Sequence, residues 1–325
     1  MLPSIIRRLL QTVGVVLVMS ALVFAGLYLV GDPVSMLASP EATEVERELI
    51  RQSLGLHLPL WHQYFIFLGK AAVHLDFGNS FLTGEPAMRL ILERMPATLE
   101  LATVAMSLSV LIGVPLGIYA GLNPESLGAR SVMTSSVLGF SLPNFWVGLM
   151  FIMVFAVLLG WLPAGGRGPV ETFGPIQLSI FSWAGWQHLI LPVVTIAAAK
   201  CALIIRVTRA ATRECLPLDY IKFARAKGLS ERRVLGVHLL KNILIPIVTI
   251  GGLEYGQVFA FAVVTETVFS WPGMGKLLID SIITLDRPVV VAYLMLTVVF
   301  LVLLNLVVDI LYTVLDPRVR LEARA

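Results

Sequence analysis

Six long apolar stretches dominate the chain: Leu9 to Val30, Leu99 to Leu122, Val132 to Leu159, Leu189 to Ala211, Ile243 to Phe269 and Val289 to Leu315. Each reaches the roughly 20 residues that a helix needs to cross a bilayer core. Only helices and closed barrels satisfy every backbone amide in hydrocarbon. Barrel strands run to about ten residues, so the pattern predicts six transmembrane helices. Arg7 and Arg8 precede the first stretch, as in a signal peptide. Its apolar part is longer than a signal core and no A-x-A site follows, so it reads as a retained span.

The polar intervals are uneven. Residues 31–96 form one long insertion, with a helical pattern over Glu41 to Leu54. Ser39 is placed to cap that helix, and Glu41 and Glu44 suit its N-terminal dipole. Gly160 to Gln187 is rich in Gly, Pro and Trp. Trp161, Trp183 and Trp186 fit an interfacial belt, and contact with a ligand is the other reading. Between Pro217 and Pro246 the pattern predicts two short amphipathic helices. Leu218 to Lys227 is closed by Gly228. Ser230 caps the second, with Arg233 where a capping-box acid would stand.

Composition agrees with the spans. The chain of 325 residues is 57% hydrophobic and 14% charged, against about 25% charged in soluble domains. A net charge of +3 is too small to argue for nucleic acid. The distribution of bases matters more. With the N-terminus inside, the inner segments hold fifteen Lys and Arg and the outer ones eight, five of them in the long first insertion. Both termini and the 217–246 segment are therefore expected on the cytoplasmic side. Cys201 and Cys215 would lie about 21 Å apart on a helix, too far for a disulfide.

No GxxxxGK[ST], HExxH, GxSxG or CxxC occurs, so neither a nucleotide site nor a catalytic constellation is expected. Energy for transport would come from a partner or an ion gradient. Four ionisable residues interrupt the apolar runs: Lys200, Glu254, Glu266 and Asp309. Such groups are costly at bilayer depth unless paired or hydrated. Lys200 and Glu254 are expected to pair near the midplane and line a path; snorkelling of Lys200 and local hydration of Glu254 is the alternative. Asn144, beside the helix-kinking Pro143, is a third path candidate. Pro115 is a second kink position. Gly113, Gly117 and Gly121, and again Gly252 and Gly256, are spaced for close helix packing, static or moving.

The strings carry a resemblance over nearly the whole length. ARAKGLS at 224–230 followed by Pro246 is similar to the EAA loop of importer-type ABC transporter permeases, in the branch handling dipeptides, oligopeptides, nickel and glutathione. GDP (31–33), DFGNS (76–80), ATLELA (97–102), SLPNFWVGLM (141–150), RVTRAATRE (206–214), VTETVFSWPGMGKLL (264–278), RPVV (287–290) and NLVVDILYTVLDPRVR (305–320) follow the same pattern in order. The EAA glutamate itself is absent, with Lys222 or Phe223 in its place, and the gap from Gly228 to Pro246 is longer than in sugar-type permeases.

The resemblance implies an all-α integral membrane protein of six transmembrane helices, the type I importer (MetI-like) permease fold, with a long extracytoplasmic loop after helix 1. It divides the chain into a first helix (1–30), an extracytoplasmic region (31–96), a five-helix core (97–315) with a coupling loop at 213–243, and a tail (316–325). It makes the chain the non-catalytic permease of a peptide-type importer in a bacterial or archaeal cytoplasmic membrane. The partners implied are a homologous second permease, two ATPase subunits that hold ATP and Mg, an extracytoplasmic solute-binding protein and membrane lipid. The coupling residues would be Tyr220, Ala224, Arg225, Ala226, Lys227, Gly228, Leu229, Ser230, Arg232, Arg233 and His238. The small residues would admit a close seat, and Arg225, Lys227, Arg232 and Arg233 would meet acids or lipid head groups. Glu266, Trp271, Pro272 and Gly273 would form an outer gate or a seat for the delivery protein. A gradient-driven carrier and a membrane scaffold are the alternative functions. The cargo is left open among dipeptide, oligopeptide, nickel, glutathione and opine-like solutes.

Overall fold

Four of the apolar runs form single helices, and two are built in pieces. A computed structural model of the chain describes residues 2–29, 34, 38, 41–53, 55–174 and 176–315. The GDP string at 31–33, Ser39 and the tail 316–325 lie outside them. The single helices are α1 (Leu2–Leu29), α4 (Ala87–Leu122), α7 (Trp183–Cys215) and α12 (Arg287–Leu315). Between α1 and α4 stand α2 (Glu44–Ser53) and α3 (Leu60–His74). The cap of α2 corrects the expectation for Ser39. The Glu46 amide reaches Thr43 Oγ1 at 3.4 Å while the Thr43 amide donates to Glu46 Oε2 at 2.8 Å, a reciprocal capping box.

The third run breaks. Residues of α5 (Leu127–Ser141) and α6 (Asn144–Phe151), which continues as a π-helical segment Ile152–Leu158, meet at a bend of 100°. Pro143 drives Leu142 to φ −85° and ψ 134°, the extended conformation that a residue before proline prefers. Pro115 lies inside α4, which runs on past it. The fifth run is split too, into α9 (Leu240–Phe261) and a short α10 (Val263–Val268). A helical turn, Glu231–Arg233, and a π-helical segment, Val234–Leu239, lead directly into α9. The second helix of the basic hairpin is thus the start of a long helix, and Pro246 lies within α9.

Among the described residues, four helical stretches are long and apolar enough to cross a membrane: Ala87–Leu122, Trp183–Cys215, Glu231–Phe261 and Arg287–Leu311. The bent α5–α6 pair makes a fifth if it is one span, and α1 is apolar over Val13–Gly26.

The chain forms two compact units. One comprises Leu2–Met95 with Gly273–Val302. In it α1 packs on α3, with Phe24 between Tyr64 and Phe67 at ring distances of 5.4 and 5.7 Å. The Ser80 hydroxyl and the Phe81 amide both donate to the buried Asp286 carboxylate. That ties the loop before α4 to the start of α12, just after α11 (Met274–Ile283).

The other unit comprises Pro96–Pro272 and the chain from Leu303 on. Its α4–α7 contact uses the predicted glycines. A Cβ on Gly113, Gly117 or Gly121 would fall 2.5–2.9 Å from Ile204, Thr208 or Thr212 of α7, so the backbones approach as closely as small residues permit. Gly252 of α9 meets Val308 of α12 in the same way. The interval between α6 and α7 carries a two-stranded antiparallel hairpin, β1 (Glu171–Phe173) and β2 (Ile176–Leu178), with Glu171 opposite Leu178. Gly174, at φ +64°, sits in its turn.

Candidate functional site

The basic hairpin opens with α8 (Asp219–Ala226). Gly228 at φ +74° ends it. The Leu229 amide donates to Ala224 O and the Gly228 amide to Arg225 O, the paired bonds of a Schellman motif. Ile221 and Ala224, three residues apart, are buried with Ala211, Val234, Leu239, Ile243 and Ile247, and Leu229 packs against them. Ala224 therefore seats the hairpin on its own bundle, and the surface left for an outside body is made by its neighbours. That surface holds Ala226, Lys227, Gly228, Ser230, Arg232, Arg233 and Tyr220, with Phe223 61% exposed beneath the Lys227 ammonium at 4.6 Å. Phe223 was not among the expected coupling residues, although an aromatic side chain opposite the Ile221–Ala224 stripe is the signal for it.

Two further expectations change. Arg225 is closed onto Glu231 through Nε–Oε1 at 2.8 Å and Nη2–Oε2 at 3.3 Å, so it staples the hairpin internally. Ser230 stands at a helix start, but its hydroxyl makes no cap bond; its carbonyl accepts from Arg233 and Val234. His238 lies in the π-helical segment, where its carbonyl accepts from the side-chain Nδ2 of Asn242 at 2.7 Å. Burial, then the Cys215 thiol, pushes the Tyr220 phenol up to about 12. It stays protonated at any physiological pH.

The path candidates come together. Lys200, near the middle of α7, contacts Glu254 of α9 at 2.5 Å, with side chains 17% and 14% exposed. Lys200 also donates to Gln257 Oε1 at 3.5 Å. Beside the pair lies a cavity of about 360 Å3 lined in part by Asn144, Lys200, Gln257 and Thr265. Asn144 is there because the break at Pro143 starts α6 at that position. A cation, two amides and a hydroxyl thus line one small space within an apolar bundle, and Glu254 reaches it through Lys200.

Glu266 and Trp271 lie elsewhere. Both side chains are fully buried. Thr98 Oγ1 donates to Glu266 Oε1 at 2.6 Å and Trp271 Nε1 donates to Ala97 O at 3.0 Å. They hold the turn after α10 to α4, so a contact surface for another protein is not made of them. Pro272 is half-buried, and Gly273 is buried where α11 begins.

Near that turn is a cluster that the motifs did not reveal. Glu100 of α4 is buried and accepts five hydrogen bonds. Arg167 donates to Oε2 from Nε at 3.0 Å and from Nη2 at 2.6 Å. The Ser179 amide, the Ser179 hydroxyl and the Ile180 amide converge on Oε1 at 2.6, 2.9 and 2.8 Å. Arg167 also bonds Gln177 O and lies 5.8 Å from the centre of the Trp271 ring. The clasp fastens both ends of the β1–β2 loop to α4.

Comparison with known proteins gives a consistent set of matches. A family described as "Binding-protein-dependent transport system inner membrane component" matches residues 113–321. A companion, "Binding-prot-dependent transport system membrane comp, N-term", matches residues 1–102. The chain is 40% identical to the glutathione transport system permease protein GsiC of Escherichia coli K12, across 98% of this chain and 99% of that one. It is 39% identical to the oligopeptide transport system permease protein AppB of Bacillus subtilis, across 97% and 98%. Its fold resembles that of the inward-facing MetNI methionine ABC transporter, with a TM-score of 0.53 at 18% identity, covering 70% of this chain and 97% of that one.

Proposed function

The chain belongs to the binding-protein-dependent transport system inner membrane component family, and from that premise we propose how this permease subunit of an ATP-driven ABC importer works. Its termini and the hairpin Asp219–Leu239 face the cytoplasm. The hairpin seats on a separate ATPase subunit, where ATP and Mg are bound, and a second, homologous permease completes the pathway. A solute-binding protein delivers the cargo from the other side. That cargo is a small peptide or a glutathione-like solute, as the transport systems of the two relatives suggest. The cavity beside Lys200 and Glu254 lies on the path.

The observation that carries this reading is the build of the hairpin. It is keyed to α7 and α9 by Ile221 and Ala224 and closed by the Arg225–Glu231 pair, so a push on Phe223 and Lys227 reaches the long helices without being absorbed in the loop. A rigid-body switch needs such a stiff lever. Phe223→Cys in the assembled transporter should cross-link to the ATPase subunit, with a yield that changes when ATP is trapped. A cross-link only from the external side, or none to a nucleotide-hydrolysing neighbour, would overturn the reading. Transport that persists with the ATPase trapped would point to a gradient-driven carrier.

A further inference from the structure

Arg206, Arg209 and Arg213 stand at i, i+3 and i+7 on α7, so they share one face. With Met133, Ala210 and Glu214 they line a cleft of about 530 Å3. The Nε atoms of Arg206 and Arg209 are buried and have no hydrogen-bond partner. The Arg206 guanidinium lies 4.4 Å from the centre of the Phe140 ring. Among the described residues, none of the three guanidinium groups has an ion-pair partner. Three cations thus face one lining carboxylate, Glu214, which pairs with none of them. A solvated basic loop that merely obeys a charge bias needs neither a concave seat nor buried donors.

The position of the cleft along α7 narrows the ligand. Arg206 follows Trp183 by 23 residues, about 35 Å of helix and about 32 Å of depth at an ordinary tilt of about 20°. That is close to the ~30 Å of a bilayer core. With Trp183 and Trp186 in one interface, Arg206 comes to the other, at the level of head-group phosphates. Val137, Leu138 and Phe140 on α5 are exposed and apolar, a surface on which acyl chains can lie.

We propose that this cleft binds the phosphate of an anionic phospholipid such as phosphatidylglycerol. The guanidinium forks of Arg206 and Arg209 match phosphate oxygens, and Arg213 adds charge at the exposed rim. This role is independent of the cargo and of the coupling hairpin.

The test uses the full chain with the subunits it assembles with, exchanged into phosphatidylglycerol or phosphatidylcholine and read by native mass spectrometry. The protein should retain phosphatidylglycerol and lose phosphatidylcholine. Arg206→Gln with Arg209→Gln should weaken retention about tenfold or more. Arg130→Gln, which removes an exposed base already paired with Glu125, should leave it unchanged. Arg206→Lys with Arg209→Lys keeps the charge and the fold, and should fall between the wild type and the Gln pair. Equal retention of both lipids, or equal loss in the Arg130 variant, would overturn the proposal. So would protection by inorganic phosphate as strong as by the lipid, which would mark a soluble anion. A cross-link from Arg209→Cys to a neighbouring subunit with no lipid retained would make the cleft a protein interface and overturn it as well.

Discussion

Glu100 and Glu254 are both carboxylates inside an apolar bundle, and each meets one cation, yet their surroundings differ. Glu100 accepts five hydrogen bonds, and its partner Arg167 is bonded again to Gln177 O. Among the described residues, Glu254 meets Lys200 alone, and Lys200 lines a cavity. A buried ion pair repays its desolvation only when further hydrogen bonds fill the remaining positions. The Glu100 clasp meets that condition and is a fastener. The Lys200–Glu254 pair meets it less fully: the further bond is the long one from Lys200 to Gln257 Oε1 at 3.5 Å, and the two side chains keep 17% and 14% of their exposure. The two carboxylates differ in how fully they are saturated.

The largest expected effect comes from desaturating the clasp. Glu100→Gln keeps the shape but replaces one acceptor oxygen with a donor and leaves Arg167, whose side chain is 10% exposed, without a counter-charge. Breaking one side of a buried pair costs about 3–5 kcal/mol, a large share of a typical stability of about 5–15 kcal/mol. The variant should accumulate poorly, melt at lower temperature in detergent and be cut readily by trypsin in the 160–182 loop. Normal melting and protease resistance would show that the clasp is not a fastener.

The pair should respond differently. Lys200→Met and Glu254→Gln each leave one charge beside a cavity that water can enter, so the folding cost should be smaller, about 1–3 kcal/mol. Transport should fall about tenfold in each, which corresponds to about 1.4 kcal/mol. The exchange Lys200→Glu with Glu254→Lys should recover most of the uptake. An exchanged protein no better than either single variant would remove the pair from the path. A melting loss as large as that of Glu100→Gln would make the two sites alike.

The sequence revealed the Lys200–Glu254 pair more readily than the Glu100 clasp, for a physical reason. Lys200 and Glu254 interrupt apolar runs near their middles, where charge is most costly, so each draws attention alone. Glu100 sits near the start of its run within ATLELA, and its cation is 67 residues away in a Gly-rich loop with no periodicity. Only the three-dimensional structure joins them. The break in the third span was half legible. Pro143 marked it, but Pro115 occupies an unbroken helix, so proline alone does not set the size of a bend. In the hairpin, Gly228 as a stop was readable from its type. The inward direction of Ala224 was available in its spacing from Ile221, whereas the fusion of the second helix with α9 through a π-helical segment has no comparable local signature.

The smallest effect sharpens the contrast most. Ser179→Ala deletes one neutral hydroxyl bond to Glu100 and leaves the Ser179 and Ile180 amides and both Arg167 bonds in place. A neutral hydrogen bond contributes about 1 kcal/mol net, and the remaining four donors still satisfy the carboxylate. Melting should drop by a few degrees at most, with uptake near that of the wild type. In a saturated cluster the loss of one weak member is tolerated because the charge remains solvated by the others; at Glu254, among the described residues, Lys200 is the sole partner, so its loss acts at once. If Ser179→Ala proves as damaging as Glu100→Gln, the donors around Glu100 act as an all-or-none unit. Saturation would then no longer distinguish the two carboxylates.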